Sequence, residues 1–247
     1  MEKRAVIMGA TSGIGKQTAL LLAQRGWKVG IAGRREELLQ SIEADTEGIT
    51  CHKQIDITKD NAPRLLQELI DTLGGMDLYL HSSGIGWQNN GLEPGRELQT
   101  AETNCTGFVR MLTAAFNYFA GQGSGHLACI SSIAGTRGLG AAPAYSSTKR
   151  FQNQYLECLT QLARMRQLHI AITDIRPGFV KTDLILGHDY PLQLRPDKVA
   201  KSIVRAIEHR KKVVIIDWRY RILVFFWQLI PRWLWIRMSI APRDVKS

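Results

Sequence analysis

Short β-type runs alternate with stretches of helical period along almost the whole chain, and this alternation constrains the fold more than any other feature. Strands are expected at Ala5–Met8, Lys28–Ala32, Ile49–Ile55, Leu78–His81, Gly125–Ser131, His169–Ile175 and Lys212–Ile216. Helical spacing of apolar residues falls between them, at Ile14–Arg25, Glu36–Ile42, Ala62–Leu73, Thr100–Ala120, Ala144–Arg166 and Pro196–His209. Such spacing makes βαβ units, whose right-handed crossovers build a parallel sheet covered on both faces. The expectation is an α/β fold: one doubly wound domain with a parallel seven-stranded sheet over residues 1–217. A C-terminal amphipathic helical extension follows over residues 218–247. No Pro/Gly/Ser-rich linker and no internal repeat divides the first 217 residues.

Directly after the first strand comes GATSGIG, with Gly9, Gly13 and Gly15. Glycines there permit a tight turn and close backbone approach to a pyrophosphate, and the following helix N-terminus favours negative charge. The candidate cradle is Gly9, Thr11, Ser12, Gly13, Ile14 and Gly15. The spacing is G-x-x-x-G-x-G, and strand before and helix after make dinucleotide binding the better explanation than a flexible turn. At the end of the second strand an acidic residue would favour NAD, whereas arginine accommodates the 2′-phosphate of NADP. The chain reads IAGRR there, so Arg34, with Arg35 beside it, points to NADPH over NADH.

AYSSTKR places Tyr145 and Lys149 one helical turn apart. A phenol of solution pKa about 10 is a poor acid–base group at neutral pH unless a nearby cation favours its ionised form. Lys149 is that cation. A serine at the mouth of the sheet can stabilise charge developing on a carbonyl oxygen.

Taken together and in order, GATSGIG, ISSIAG, AYSSTK and RPGFVKT resemble the short-chain dehydrogenase/reductase family, from about Arg4 to Ile216. The resemblance implies an NAD(P)-binding Rossmann-like domain that moves hydride to or from a carbonyl carbon. It makes Tyr145 the general acid in reduction, and has Lys149 lower the tyrosine pKa and bind the nicotinamide ribose. It makes Ser132 the residue that holds the carbonyl, and Asn104 the residue that keeps a water in the proton relay. Ser132 is preferred to Ser131 by its thirteen-residue offset from the tyrosine. Asp56, followed by Ile57, matches the acidic residue beside the adenine, and Pro177, Gly178, Val180 and Thr182 match the segment that orients the nicotinamide. The family's Asn-Asn-Ala-Gly segment is HSSG here; Ser82 or Ser83 stands in for the asparagines, Gly84 keeps the close approach, and His81 is structural.

Composition narrows the partners. Four scattered cysteines and no metal-type histidine spacing imply reduced thiols and no metal site. The start, MEKRAVIMGA, lacks a signal-type apolar run, so a cytoplasmic protein is expected. The chain carries a net +10, of which +7 lies from Arg210 onward, nine cations against two carboxylates. That local excess argues against a nucleic-acid-binding surface. Within it, WRYRILVFFWQLIPRWLWIRM is too short in its apolar run to span a bilayer. It fits either a helix in a membrane interface, with peripheral contact through residues 218–240, or a helix packed on protein. The apolar loop Asp183–Pro196, with Trp87 and Leu139, suggests a greasy pocket and a lipid-like ketone such as a long-chain 3-keto sphingoid base. The family resemblance also implies a homodimer or homotetramer. The alternatives are a 3-oxoacyl-carrier-protein reductase and a non-catalytic NADP-binding regulatory or membrane-adaptor protein.

Overall fold

The structure is a computed structural model that describes residues 2–182, 192–238 and 240. Seven strands form one parallel sheet: β1 Arg4–Met8, β2 Lys28–Gly33, β3 Ile49–Gln54, β4 Leu78–His81, β5 Ser124–Ile130, β6 His169–Arg176 and β7 Val213–Ile215. Their spatial order is β3-β2-β1-β4-β5-β6-β7, with every pair parallel. The order reverses between β1 and β4, which opens a crevice at their carboxyl ends. The sheet is buried on both faces, so its strands are apolar almost throughout. In β1, Ala5 and Ile7 join one core with α1 (Gly13–Gln24), α2 (Glu36–Ala44) and α7 (Pro196–Glu208). Val6 and Met8 join the other, with α3 (Ala62–Leu73), α5 (Phe108–Gln122) and α6 (Pro143–Met165). Each fully buried Leu, Ile or Phe of these layers contributes about 1.5–3 kcal/mol.

Three elements differ from the sequence expectation. The helix expected at Thr100–Ala120 begins earlier, as α4 (Pro94–Ala101), where Pro94 is favoured at a first helical turn. It then widens into a π-helical segment, Glu102–Gly107, before α5. The last strand is shorter than expected, because only Val213–Ile215 pair with β6. The extension is two helices, α8 (Trp218–Leu229) and α9 (Arg232–Arg237), divided at Ile230–Pro231, since proline cannot continue a helix. Both rest on the domain: on α8, Tyr220 and Val224 are 1% and 2% exposed and belong to the core under α1 and α7, and on α9 Trp235 is 7% exposed. Of the apolar loop Asp183–Pro196, residues 183–191 lie outside the described residues.

Candidate active site

Every candidate residue follows the carboxyl end of a strand, so the fold gathers them along one edge of the sheet. After β1 the chain turns through Gly9, whose φ of +89° suits glycine. A Cβ there would stand 2.7 Å from the Ser83 amide nitrogen, and one on Gly15 would overlap the Gly9 carbonyl. Glycine is therefore required at both places for the loop to lie against β4's exit. Ser12 starts α1 without capping it through its side chain, and the first turn holds no carboxylate. That N-terminus, its amides and its dipole remain available to a pyrophosphate, so the cradle fits the expected nucleotide. Ile14 packs on the neighbouring core, and Thr182 lies 3.2 Å from where a Gly13 Cβ would stand. Ser82 and Ser83 both abut the loop, beside Gly15 and Gly9 respectively, so the HSSG segment packs directly against the cradle.

The two arginines after β2 have different settings. Arg35 reaches back over the cradle, its Nη2 donating to Thr11 Oγ1 at 2.7 Å and to Ser12 Oγ at 2.8 Å. Arg34 is exposed and lies near Asp56. Burial pushes the Asp56 carboxyl up, but hydrogen bonds from the Thr58 amide and hydroxyl, with Arg34 and Lys59 nearby, bring it net below its ordinary value. Ile57 is buried against Gly107 of the π-helical segment.

The start of α6 is held from two sides. The Ala144 amide donates to Glu97 Oε2 at 3.0 Å, and Ser146 Oγ accepts from the Leu139 amide at 3.1 Å. Tyr145 lies over Gly86, where a Cβ would overlap its ring. Lys149 Nζ stands 5.8 Å from the centre of that ring and donates to Ile130 O at 3.2 Å and Gln152 Oε1 at 2.9 Å. Burial lowers the Lys149 ammonium below its ordinary value, opposed by Cys129, Asp174 and Cys105. Gly84 leaves room for the same group, 3.4 Å from where its Cβ would be. Ser132 caps a 3-10 turn, Ile133–Gly135, its Oγ accepting from the Ala134 amide at 3.0 Å. That turn packs on α6 at Lys149, where a Gly135 Cβ would stand 2.7 Å from the Lys149 carbonyl. Ser131 turns away, donating to Asp174 and accepting from Asn153 Nδ2 at 2.8 Å.

Asn104 is fully buried. Its amide clamps the chain after β4, accepting from the Ile85 amide at 2.9 Å and donating to the Ile85 carbonyl at 2.7 Å. It also donates to Thr148 Oγ1 at 3.1 Å, one residue before Lys149. Sequence reasoning missed Gln152, which is fully buried and joins Lys149 to Asn104: its Nε2 donates to the Asn104 carbonyl at 2.9 Å. It also missed the cluster behind them, where Asp174 accepts from Asn153 Nδ2 at 3.0 Å and Arg176 Nε at 2.7 Å. The one available signal was helical spacing, since Lys149, Gln152 and Asn153 share a face of α6. His81 is buried and neutral: burial, then the Lys149 charge, lower it to about 3, with the Ser83 backbone opposing.

After β6, the Pro177 carbonyl accepts from the Ile133 amide at 3.1 Å, tying this segment to the Ser132 turn. Gly178 lies flat on the Tyr220 ring, and Tyr220 Oη accepts from the Phe179 amide at 3.2 Å. Val180 bridges to Leu194, and Thr182 Oγ1 donates to the Val180 carbonyl at 3.2 Å. The residues expected to meet a nucleotide and a carbonyl thus lie on one rim.

Comparison with known proteins identifies the family and the fold. The family model for short chain dehydrogenases matches residues 3–187. An uncharacterized oxidoreductase of Myxococcus xanthus is 36% identical over 196 residues, covering 77% of each chain. Among solved structures, a short-chain dehydrogenase from Sphingobium yanoikuyae in complex with NADPH superposes with a TM-score of 0.79 at 19% identity, covering 99% of this chain and 98% of its own. A 3-ketoacyl-(acyl-carrier-protein) reductase from Brucella melitensis complexed with NADH has a TM-score of 0.76 at 20% identity, covering 87% and 96%. With its glycine cradle, its Tyr145–Lys149 pair and a family match over most of its length, the chain belongs to the short-chain dehydrogenase/reductase family of NAD(P)-dependent oxidoreductases.

Proposed function

We propose that this protein is an NADPH-dependent carbonyl reductase acting on an apolar, lipid-like ketone such as a long-chain 3-keto sphingoid base. The observation that carries the chemistry is Lys149 buried beside Tyr145, with its ammonium held by Ile130 O and Gln152. In the proposed reaction Tyr145 Oη gives a proton to the substrate oxygen as the carbonyl carbon is reduced. Ser132 Oγ, which takes the Ala134 amide on a lone pair, donates its own proton as a hydrogen bond to the same oxygen. The Asn104 carbonyl takes Gln152 on one lone pair and leaves the other for the relay water. The cradle of Gly9–Gly15, Asp56 with Ile57, Ser83 with Gly84, and the segment Pro177 to Thr182 would hold the nucleotide. When bound, the nicotinamide supplies the hydride.

The preference for NADPH rests on Arg34 and Arg35. Arg35 already bridges Thr11 and Ser12, which leaves Arg34, exposed at the β2 end, to meet a 2′-phosphate. Support for an apolar substrate comes from Trp87, exposed at 38% beyond β4, and from the apolar helices that border the rim. The basic excess from Arg210 onward favours a second substrate form, a ketone on an acidic carrier protein, handled by the same residues. Exposed Leu98, Phe151 and Met165, on α4 and α6, support self-association as a homodimer or homotetramer.

The test is NADPH and NADH oxidation against free ketones of rising chain length and against carrier-bound ones. Catalytic efficiency is expected to rise with chain length; equal turnover of small polar ketones would remove the lipid substrate. Arg34→Ala is expected to raise KM for NADPH about tenfold, the equivalent of losing one charge-assisted contact, and to leave KM for NADH nearly unchanged. An equal loss for both would overturn the cofactor preference.

A further inference from the structure

Half of the eighteen large apolar side chains exposed among the described residues fall between Trp218 and Met238. They are not a frayed end. Arg137 Nε donates to the Trp227 carbonyl at 3.1 Å, and its Nη2 donates to Gln228 O at 2.8 Å and Ile230 O at 2.6 Å. One guanidinium thereby satisfies the last carbonyls of α8. The same group lies 5.5 Å from the centre of the Trp235 ring, and Trp235 Nε1 donates to the Gly138 carbonyl at 2.8 Å. Trp227 and Trp235 meet edge to face at 5.3 Å, which locks α9 against α8.

The inner side of α8 is Tyr220 and Val224, both buried. At about 100° per residue, the opposite side carries Trp218, Ile222, Phe225, Phe226 and Leu229, all at least 49% exposed. Arg219 and Arg221 fall on its two borders. On α9, Trp233 and Ile236 are 62% and 69% exposed, and the Arg237 guanidinium stands 5.6 Å from the Trp233 ring centre. Residues 218–240 hold four arginines and no carboxylate. Asp217, just before them, is already paired with Arg219 at 2.9 Å. A second copy docked here by two-fold symmetry would set arginine against arginine with no counter-charge in the contact. An anionic lipid surface supplies that charge and also takes the aromatic rings at the headgroup boundary. No described helix is long and apolar enough to cross a membrane, so α8 and α9 would lie in its plane.

We propose that the α8–α9 pair is a docking face for an anionic lipid surface. The pair is fastened to rim segments of the site: to Arg137 and Gly138 after the Ser132 turn, to Gly178 and Phe179, and to Leu192, whose carbonyl accepts from Tyr220 Oη at 3.1 Å. Docking therefore fixes how the mouth of the site stands relative to the lipid. This inference does not depend on the substrate or cofactor proposed above.

The test is sedimentation of the full chain with vesicles of phosphatidylcholine alone and of phosphatidylcholine mixed with phosphatidylglycerol. Binding to the mixed vesicles is expected, reduced about tenfold or more by Phe225→Ser with Phe226→Ser, and comparably by Arg221→Gln with Arg232→Gln. NADPH oxidation with a water-soluble ketone should be the same in both variants and the parent. That assay separates failure of docking from failure of the reductase assignment. Absence of the parent from the mixed-vesicle pellet would overturn the inference. So would binding that salt abolishes but the phenylalanine changes leave intact, which is adsorption by charge alone. A fall in the lipid-free mass of the assembly on changing the phenylalanines would overturn it in favour of a second copy.

Discussion

At the carboxyl edge of the sheet the chain buries what proteins usually expose: Asn104, Lys149, Gln152, Asn153 and Asp174 are all 5% accessible or less. Across α8 and α9 it exposes what proteins usually bury, Phe225 and Phe226 at 59% and Trp233 at 62%. The two regions are joined through Tyr220 and Arg137 but solve different problems. A buried polar side chain must find its partners within the fold, so residues from β6, α6 and the π-helical segment fix one another's positions. An exposed aromatic ring is fixed by its helix alone and leaves its outer surface for something beyond the chain. Geometry is over-determined at the rim and open at the tail.

The largest effect expected at the rim is chemical. Tyr145→Phe removes the proton donor while keeping the ring over Gly86, so activity should fall about a thousand-fold with the melting temperature nearly unchanged. Full activity in that variant, measured by cofactor oxidation, would remove Tyr145 from the reaction. The next effect is structural. Asp174→Ala strips the partner from Arg176 and one from Asn153, and it should cost about 3 kcal/mol in denaturant unfolding, as breaking a buried ion pair does. A loss no larger than that of a surface change would show that the polar interior is not the organised network described.

These same residues mark where the sequence became hard to read. The sheet was legible because strands buried on both faces are apolar runs, and the helices between them have plain periodicity. The cradle was legible because glycine is required where Gly9 and Gly15 approach β4 and each other. Gln152 was not: within STKRFQNQ it looks like a solvated helix face, and only the packing of α6 on the π-helical segment makes it a bridge from Lys149 to Asn104. The π-helical segment itself follows from tertiary contacts around Asn104 and Ile57, which no local pattern announces. Tyr220 is a similar case. Its place in the tail hides the fact that it supports Gly178 and Phe179 across the fold.

Acid should distinguish the sheet domain from the tail by a smaller amount. His81 and His126 are buried neutral, lowered by burial to about 3 and about 4. Their folded values lie below the ordinary 6.5, so the unfolded chain binds more protons as pH falls, and stability is lost from about pH 6.5 downward. At pH 5.5 each contributes a loss of about 1.4 kcal/mol. His52 runs the other way: although burial opposes it, Glu43 and Glu36 raise its value, so its contribution grows as pH falls. The clean measurement is therefore a difference. His126→Asn, unfolded in urea at pH 7.5 and 5.5, should lose about 1.4 kcal/mol less than the parent, and an equal loss would refute the neutral assignment. The cations between Trp218 and Met238 are all arginines, so the tail has no counterpart to this effect.

The smallest expected effect is the one that tests the contrast most directly. Leu229 is 62% exposed on the outer side of α8, whereas Val224, five residues earlier, is 2% exposed against the core. Leu229→Gln replaces one good helix former by another and uncovers no cavity, so it should change stability by no more than about 0.5 kcal/mol. Val224→Ala deletes two buried methyl groups and should cost about 2 kcal/mol. If Leu229→Gln costs as much as Val224→Ala in a dilute, lipid-free solution, the outer face is already covered by protein there. If the costs separate as stated, the apolar side of α8 adds nothing to folding, and its composition is explained by what it meets outside the chain.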